Sequence, residues 1–175
     1  MKNYAIAFTA LAALSLGTMA YAQTCGSPST LASGQTITNT GGLPTTCGGD
    51  SSVTGFCGGA TPKGPTAVYA FSYNGSASST ITVTPSNATY DVAIGVISGG
   101  ATCAASLTAN CNDLEDNATG GGAESTSISS TNESTAGTYY LLITNLSGGA
   151  ATVTCGPYGV TAGTLPVKLQ SFSIN

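Results

Sequence analysis

Apolar and polar side chains alternate with a period of two residues along several short stretches of the chain. In the stretch 68–73 the three aromatic residues fall on one face, and in 80–84 Ile81 and Val83 alternate with threonines. This period is typical of half-buried β-strands, because successive side chains of a strand point to opposite faces. The same alternation predicts further strands at 91–97 and 139–144 and, more weakly, at 35–39 and 126–129.

Clusters of turn-forming residues separate these predicted strands. Asn74-Gly75 and the three glycines at 120–122 are examples, and no window after residue 22 has a helical period. Parallel strands need long crossover connections, usually helices, so the missing helices favour antiparallel pairing. Many short strands with turns at close spacing predict an all-β fold, an antiparallel β-sandwich or jelly roll.

Residues 1–22 have the features of a secretory signal peptide. Lys2 provides the positive start, an apolar stretch of about a dozen residues follows, and small residues precede the expected cleavage after Ala22. A membrane anchor would need about 20 apolar residues, and Gly17-Thr18 interrupts this run. We therefore expect a secreted, extracellular or cell-surface protein without membrane insertion after the leader is removed.

The composition excludes several classes of function. The chain has seven acidic residues, three lysines and no His, Arg or Trp. Without His there is no Ser-His-Asp triad, no Cys-His nucleophile and no His-ligated zinc. The two lysines beyond the leader are too few to neutralise a phosphate backbone or to form a polybasic membrane patch. We expect no enzyme and no nucleic-acid partner.

All the cysteines follow the leader: Cys25, Cys47, Cys57, Cys103, Cys111 and Cys155. An even number in an exported chain predicts three disulfides, and the spacing is unlike the close CxxC pairs of zinc sites. The sequence leaves the connectivity open, since six cysteines allow many pairings. Short loops favour Cys47–Cys57 and Cys103–Cys111, which leaves Cys25–Cys155 to join the two ends.

Four segments occur in an order that resembles a known bacterial family. They are Ala67-Val68-Tyr69-Ala70-Phe71, Tyr90-Asp91-Val92-Ala93-Ile94, Cys103 with Cys111-Asn112-Asp113, and Ala136-Gly137-Thr138-Tyr139-Tyr140-Leu141. Together they resemble the pre-peptidase C-terminal (PPC) domain, which occurs beside secreted proteases and on surface proteins. Over about residues 66–158, the resemblance implies a jelly-roll β-sandwich and a family with calcium-binding members. Such domains usually accompany a catalytic domain, whereas here we expect the domain to stand alone.

Five acidic residues form the candidate metal site: Asp91, Asp113, Glu115, Asp116 and Glu124. Carboxylates and amide carbonyls gathered in one loop are the oxygen ligands that Ca²⁺ requires, and the glycines at 120–122 would let the loop curl around the ion. Ca²⁺ is therefore the candidate cofactor, although the spacing is not that of an EF-hand loop. The alternative is a solvated acidic loop that keeps a weakly charged protein soluble.

The tyrosines divide into two groups by their position in the pattern. Those on predicted strands, Tyr69, Tyr73, Tyr139 and Tyr140, are expected to pack in or around the core. Tyr90 and Tyr158 lie beside turns, so we expect them to be freer to contact a ligand.

An apolar strand pattern at 164–175 follows the last cysteine. The first three apolar residues alternate strictly, and the next two continue one residue out of register, as at a β-bulge. Two arrangements are open: the segment is an edge strand of its own sandwich, or it pairs with the edge of another molecule. Repeated head to tail, the second arrangement builds a filament. The residues expected to carry this assembly are Leu165, Val167, Leu169, Phe172 and Ile174.

These patterns predict a signal peptide at 1–22, a β-sandwich at 23–163 and a C-terminal strand at 164–175. The expected function is that of a non-enzymatic structural or adhesive protein of the bacterial cell surface or biofilm matrix, self-assembling into filaments. Its partners would be further copies of itself or other matrix components. Two alternatives stay open: a calcium-dependent module that binds a glycan or a protein, and an accessory or inhibitory partner of a separately encoded secreted protease.

Overall fold

The computed structural model describes residues 23–98, 111–118, 120–146 and 153–165. Apart from two single-turn 3-10 helices, Thr46–Gly48 and Cys57–Gly59, the regular structure of this part of the chain is β-strand. The strands are β1 (Ser29–Thr30), β2 (Thr36–Ile37), β3 (Ala67–Tyr73), β4 (Ser79–Pro85), β5 (Ala93–Ser98), β6 (Cys111–Glu115), β7 (Glu124–Ile128), β8 (Gly137–Thr144) and β9 (Tyr158–Ala162).

The strands form two sheets packed on a shared core. The five-stranded sheet has the order β1-β3-β8-β5-β6, and the four-stranded sheet has the order β2-β9-β4-β7. Neighbouring strands are antiparallel except β1 and β3, which pair in parallel at Ser29↔Tyr69 and Thr30↔Ala70. From β3 onward most consecutive strands change sheet, as in jelly-roll sandwiches. The predicted fold class, a disulfide-braced antiparallel β-sandwich, is confirmed.

The main core is built from the alternating apolar side chains of both sheets. Tyr69, Phe71 and Tyr73 of β3 belong to the same buried cluster as Ile81 and Val83 of β4. The strands predicted from alternation are thereby confirmed: β3, β4, β5 and β8 match the four stronger stretches, and β2 and β7 match the two weaker ones.

A second, smaller core covers the other face of the five-stranded sheet. Val53, Phe56 and Cys57, from the long segment before β3, are buried with Val68, Ala93, Ile97, Leu142 and Leu146. The side chains of this second core lie so close to β5 that a Cβ atom on Gly95 would be 2.8 Å from Sγ of Cys57. Because β5 is buried on both faces, apolar residues occupy consecutive positions along it.

The disulfides of the described chain join segments far apart in sequence, and the predicted pairings are wrong. Cys47 is bonded to Cys155 and Cys57 to Cys111; Cys25 is disulfide-bonded as well, and Cys103 lies outside the described residues. These two bonds contradict all three predicted pairs: Cys47–Cys57, Cys103–Cys111 and Cys25–Cys155. Short loops favoured those pairs, but the sandwich brings β6 against the second core, where the Cα atoms of Cys57 and Cys111 are 5.3 Å apart.

Three strands are not predicted by the sequence pattern: β1, β6 and β9. β1 is only two residues long, and β6, Cys-Asn-Asp-Leu-Glu, is predominantly polar because each of its residues is only half-buried. The prediction that the acidic segment after Cys111 is a loop is therefore wrong over Cys111–Glu115. In the described ranges, no helix has the length and apolar character needed to span a membrane.

Candidate functional site

The five predicted calcium ligands lie around β5, β6 and β7. Asp113 and Glu115 are on β6, Asp116 directly follows it, Glu124 begins β7, and Asp91 precedes β5. Within the ranges that the structure describes, no three His, Cys, Asp or Glu side chains are arranged to hold a metal ion.

Two of the five carboxylates hold neighbouring segments together. Asp113 accepts a hydrogen bond from the hydroxyl of Thr126, so it links β6 of one sheet to β7 of the other. Glu124 is 3% exposed, and its Oε1 accepts a hydrogen bond of 2.5 Å from the amide of Ala118. This bond closes the turn between β6 and β7. A structural role therefore accounts for both residues without a bound ion.

Asp91 is placed differently, because it is buried without a partner for one of its oxygens. The residue is 5% exposed, and Oδ1 has no hydrogen-bond partner among the residues that the structure describes. Desolvation raises the pKa of the Asp116 carboxyl, the charge of Asp91 raises it further, and Lys63 lowers it. Burial likewise raises the pKa of Glu124, to which the charge of Asp116 adds. The carboxylates of Asp91 and Asp116 thus repel each other, and Lys63 offsets part of this repulsion at Asp116.

A sixth carboxylate, Glu133, is fully buried and was not among the predicted site residues. Its Oε2 accepts a 2.7 Å hydrogen bond from the amide of Ser129, whereas Oε1 has no partner within the described part of the chain. The hydroxyl of Tyr73 is also buried without a partner. Burial raises the pKa of Glu133, and the charge of Asp113 raises it further. Nothing in the polar sequence around Glu133 signals this burial.

Replacing Glu133 by Gln is expected to stabilise the protein at pH 7 by on the order of 1 kcal/mol, because Gln keeps an acceptor for the Ser129 amide and removes a buried charge. The pKa values of Asp116, Glu124 and Glu133 are raised in the folded state. The folded state therefore favours the protonated form of these three carboxyls. Their contribution to the free energy of unfolding is complete below the ordinary carboxyl pKa and is lost as pH rises through the raised pKa values.

Urea unfolding between pH 5 and pH 8 measures this dependence. Wild type should be more stable at pH 5 than at pH 8, and Glu133→Gln should show a smaller difference. The lowered pKa of Asp50 acts in the opposite sense only near and below its ordinary value, outside this range. Identical pH dependence in wild type and variant would contradict the expectation.

The expectation that Tyr90 and Tyr158 are free to contact a ligand is wrong, because both are fully buried. The Tyr158 hydroxyl donates to Oε1 of Gln23 at 2.7 Å, and Nε2 of Gln23 donates to the Tyr69 hydroxyl at 2.6 Å. The hydroxyls of Tyr90 and Thr46 are 2.9 Å apart. Burial raises the pKa of both Tyr90 and Tyr158. Both tyrosines therefore pack in the main core.

The C-terminal segment begins inside the sandwich. Leu165 is 2% exposed and belongs to the main core, so the assembly role predicted for it is corrected to packing within its own molecule. It also lines a groove of about 380 Å³, together with Leu31, Phe71 and Thr138. The other predicted assembly residues, Val167, Leu169, Phe172 and Ile174, lie outside the described residues.

This groove lies beside a short free edge of β3. β1 pairs with β3 only as far as Ala70, whose carbonyl accepts a 2.8 Å hydrogen bond from the amide of Leu31. Beyond Ala70, residues 71–73 pair with β8 on one side and have no strand on the other within the described chain. Since a strand advances about 3.3 Å per residue, this free edge is about 10 Å long.

No family model and no curated protein matches the chain. Among solved structures, the chain is similar to the pre-peptidase C-terminal domain of a collagenase from Bacillus anthracis. The sequence identity is 15% and the TM-score is 0.46, and the match covers 77% of this chain and 92% of that chain. The class of this protein, a disulfide-braced β-sandwich, is defined by its own strands and cross-links.

Proposed function

We propose that this protein is a non-catalytic, secreted structural or adhesive subunit of a bacterial cell surface or extracellular matrix, and that its copies assemble through residues 166–175. The position of Leu165 is the observation that carries this proposal. Leu165 is buried in the main core and lines the groove beside the free edge of β3, so the described chain ends close to a sheet edge. We refer to residues 166–175 as the tail.

The free edge of β3 is too short to pair with the whole tail of the same chain. The ten residues of the tail span about 33 Å when extended, whereas the free edge of β3 is about 10 Å long. β1 blocks the continuation of that edge before Ala70. A tail paired as a strand would therefore extend beyond this edge, and its alternating apolar residues suit another sheet edge.

The surface of the sandwich favours contact between like subunits. A row of hydroxyl side chains crosses all four strands of the four-stranded sheet, Thr36–Thr161–Thr82–Ser125. Only 6% of the residues in the whole sequence are charged, so copies repel one another weakly. Disulfides suit an oxidising compartment outside the cytoplasm, which supports export together with the leader pattern.

Sedimentation velocity of the chain 23–175 at increasing concentration tests this proposal. We expect species heavier than the monomer, and we expect an excess of a synthetic peptide with the sequence of residues 166–175 to reduce their fraction. A scrambled peptide of the same composition is the matched control. A monomer at every concentration would overturn the proposal.

A second candidate function, a Ca²⁺-dependent module for a glycan or a protein, is favoured by the environment of Asp91. Its buried, unpartnered Oδ1 and the raised pKa of Asp116 indicate a negative environment that a cation would relieve. The third alternative, partnership with a secreted protease, stays a prediction from the sequence.

Calorimetry with CaCl₂ tests the second function. If it holds, the wild type binds Ca²⁺ saturably, and Asp91→Asn weakens binding by about tenfold or more, because the charge is lost while the shape is kept. Asp50→Asn is the matched control, since the Asp50 carboxylate is occupied by Ser52 and by the amide of Cys25. Absence of heat from the wild type would reject the Ca²⁺ function.

A further inference from the structure

In the described chain, four strands border the two sheets and are potential acceptors for an added strand. They are β1 and β6 in the five-stranded sheet and β2 and β7 in the four-stranded sheet. β1 and β2 have two residues each, whereas β6 and β7 have five each. An added strand gains its affinity from a row of backbone hydrogen bonds, so β6 and β7 are the edges long enough to accept the tail.

Each of the two longer edges already has a backbone group in a hydrogen bond with a side chain. On β7, the carbonyl of Ser127 accepts a hydrogen bond from Nδ2 of Asn132. On β6, all five residues are half-buried, and the amide of Leu114 is held by the carboxylate of the adjacent Asp113 at 3.0 Å. Within the described ranges no strand pairs with the outer side of β6 or of β7, so the side chains that each edge presents decide between them.

One face of β6 is apolar and the other is acidic. Leu114 and Cys111 pack against the second core, whereas Asp113 points to the opposite face, where it reaches Thr126. Glu115 lies two residues after Asp113 and therefore shares the acidic face. A register shift between Val96 and Ile97 of β5 lets Cys111 and Leu114 share the apolar face.

The tail has the same division into two faces. Val167 and Leu169 alternate with Lys168 and Gln170. Because neighbouring strands of a sheet share their faces, a tail placed beside β6 can bring Val167 and Leu169 next to Leu114. Its other face then presents Lys168 to the carboxylates.

The few positive charges of the chain make this match specific. Lys63 and Lys168 are the lysines that follow the leader, and the charge of Lys63 already acts on Asp116. Because Lys63 lies near Asp116, Lys168 is the lysine that a neighbouring copy can bring to Asp113 and Glu115 on the acidic face of β6. Opposite charges on adjacent strands attract, and they set which edge and which register are preferred.

We propose that β6 of one copy accepts the tail of the next, with Lys168 against Asp113 and Glu115. This inference rests on the proposed function and names the acceptor edge for it. The β6 edge of the same chain lies three strands away from β3, about 14 Å across the sheet, and mixed isotope labelling distinguishes pairing within one copy from pairing between copies. Donor and acceptor surfaces differ, so the contact is heterologous and continues from copy to copy.

Carbodiimide cross-linking of the assembled full chain tests the acceptor directly. The reagent joins an amine and a carboxylate in contact as an amide, with loss of water. Equal amounts of ¹⁵N-labelled and unlabelled chains distinguish links between copies from links within one copy. We expect mixed-isotope links from Lys168 to Asp113 or Glu115. Links from Lys168 to Glu124 or Glu133, or links within one copy only, would overturn the inference.

Charge exchange provides the second measurement. Lys168→Glu and Glu115→Lys are each expected to raise the concentration needed for assembly by about tenfold, and the double variant should restore it. Ser125→Lys, which puts the same charge on β7, is the matched control and should not rescue Lys168→Glu. If the wild type assembles but the single variants match it, or if Ser125→Lys rescues, the acceptor is not β6. If the wild type does not assemble at all, the proposed function itself fails.

Discussion

Removing the Cys47–Cys155 disulfide is expected to lower the free energy of unfolding by about 5 kcal/mol. The bond closes a separation of 108 residues, and a cross-link over so long a loop restricts the unfolded chain strongly in the chain-entropy model. It also fixes the segment in which Thr46 accepts a hydrogen bond from the amide of Gly156 at 3.1 Å. The double variant Cys47→Ser/Cys155→Ser leaves no unpaired thiol at this site.

Urea unfolding of the oxidised proteins measures the effect, and the double variant Cys57→Ser/Cys111→Ser provides the comparison. The second bond closes a separation of 54 residues, so its removal is expected to cost about 4 kcal/mol. Peptide mapping without reduction should recover Cys47 joined to Cys155. Recovery of Cys47 joined to Cys57, or unchanged stability of the first variant, would contradict the structure.

Replacing Leu165 by Ala is expected to cost about 2–5 kcal/mol of stability, because its side chain is buried in the main core and the substitution leaves a cavity. If the tail pairs with another molecule, a chain that ends at Leu165 should keep its stability within about 0.5 kcal/mol, since it retains every core residue of the described chain. The pair of variants separates packing of Leu165 in its own molecule from pairing of the tail with another.

Chemical unfolding at low protein concentration, where assembly does not contribute, gives both values. Val160→Ala, in the same core, is the control for the cost of a smaller buried side chain. If the chain ending at Leu165 loses several kcal/mol, the tail is a strand of its own sandwich. A Leu165→Ala variant as stable as wild type would contradict the burial of this residue.

The strands that the sequence predicts are those with one face in the main core, because burial on one face imposes the period of two. β3 and β4 show this alternation clearly. β6 could not be recognised in this way, since it is an edge strand whose residues are all half-buried. β9 does alternate, with Tyr158, Val160 and Ala162 buried, but three small or polar residues among its five weaken the apolar signal.

The candidate site was predictable only in part. Acidic residues are visible in the sequence, but tertiary contacts decide which carboxylates have one buried oxygen without a partner in the described chain, as Asp91 and Glu133 do. The disulfide partners also depend on topology, because strands that are adjacent in a sandwich come from distant parts of the chain. The burial of Leu165 follows from the crossing of the chain from β9 to the groove beside β3, which no local pattern reports.

Electron microscopy of the chain 23–175, beside the same chain ending at Leu165, is the most direct test of tail-mediated assembly. The proposal predicts filaments from the full chain and dispersed, folded monomers from the shortened one. Dispersed monomers from both, or filaments from both, would contradict assembly through the tail.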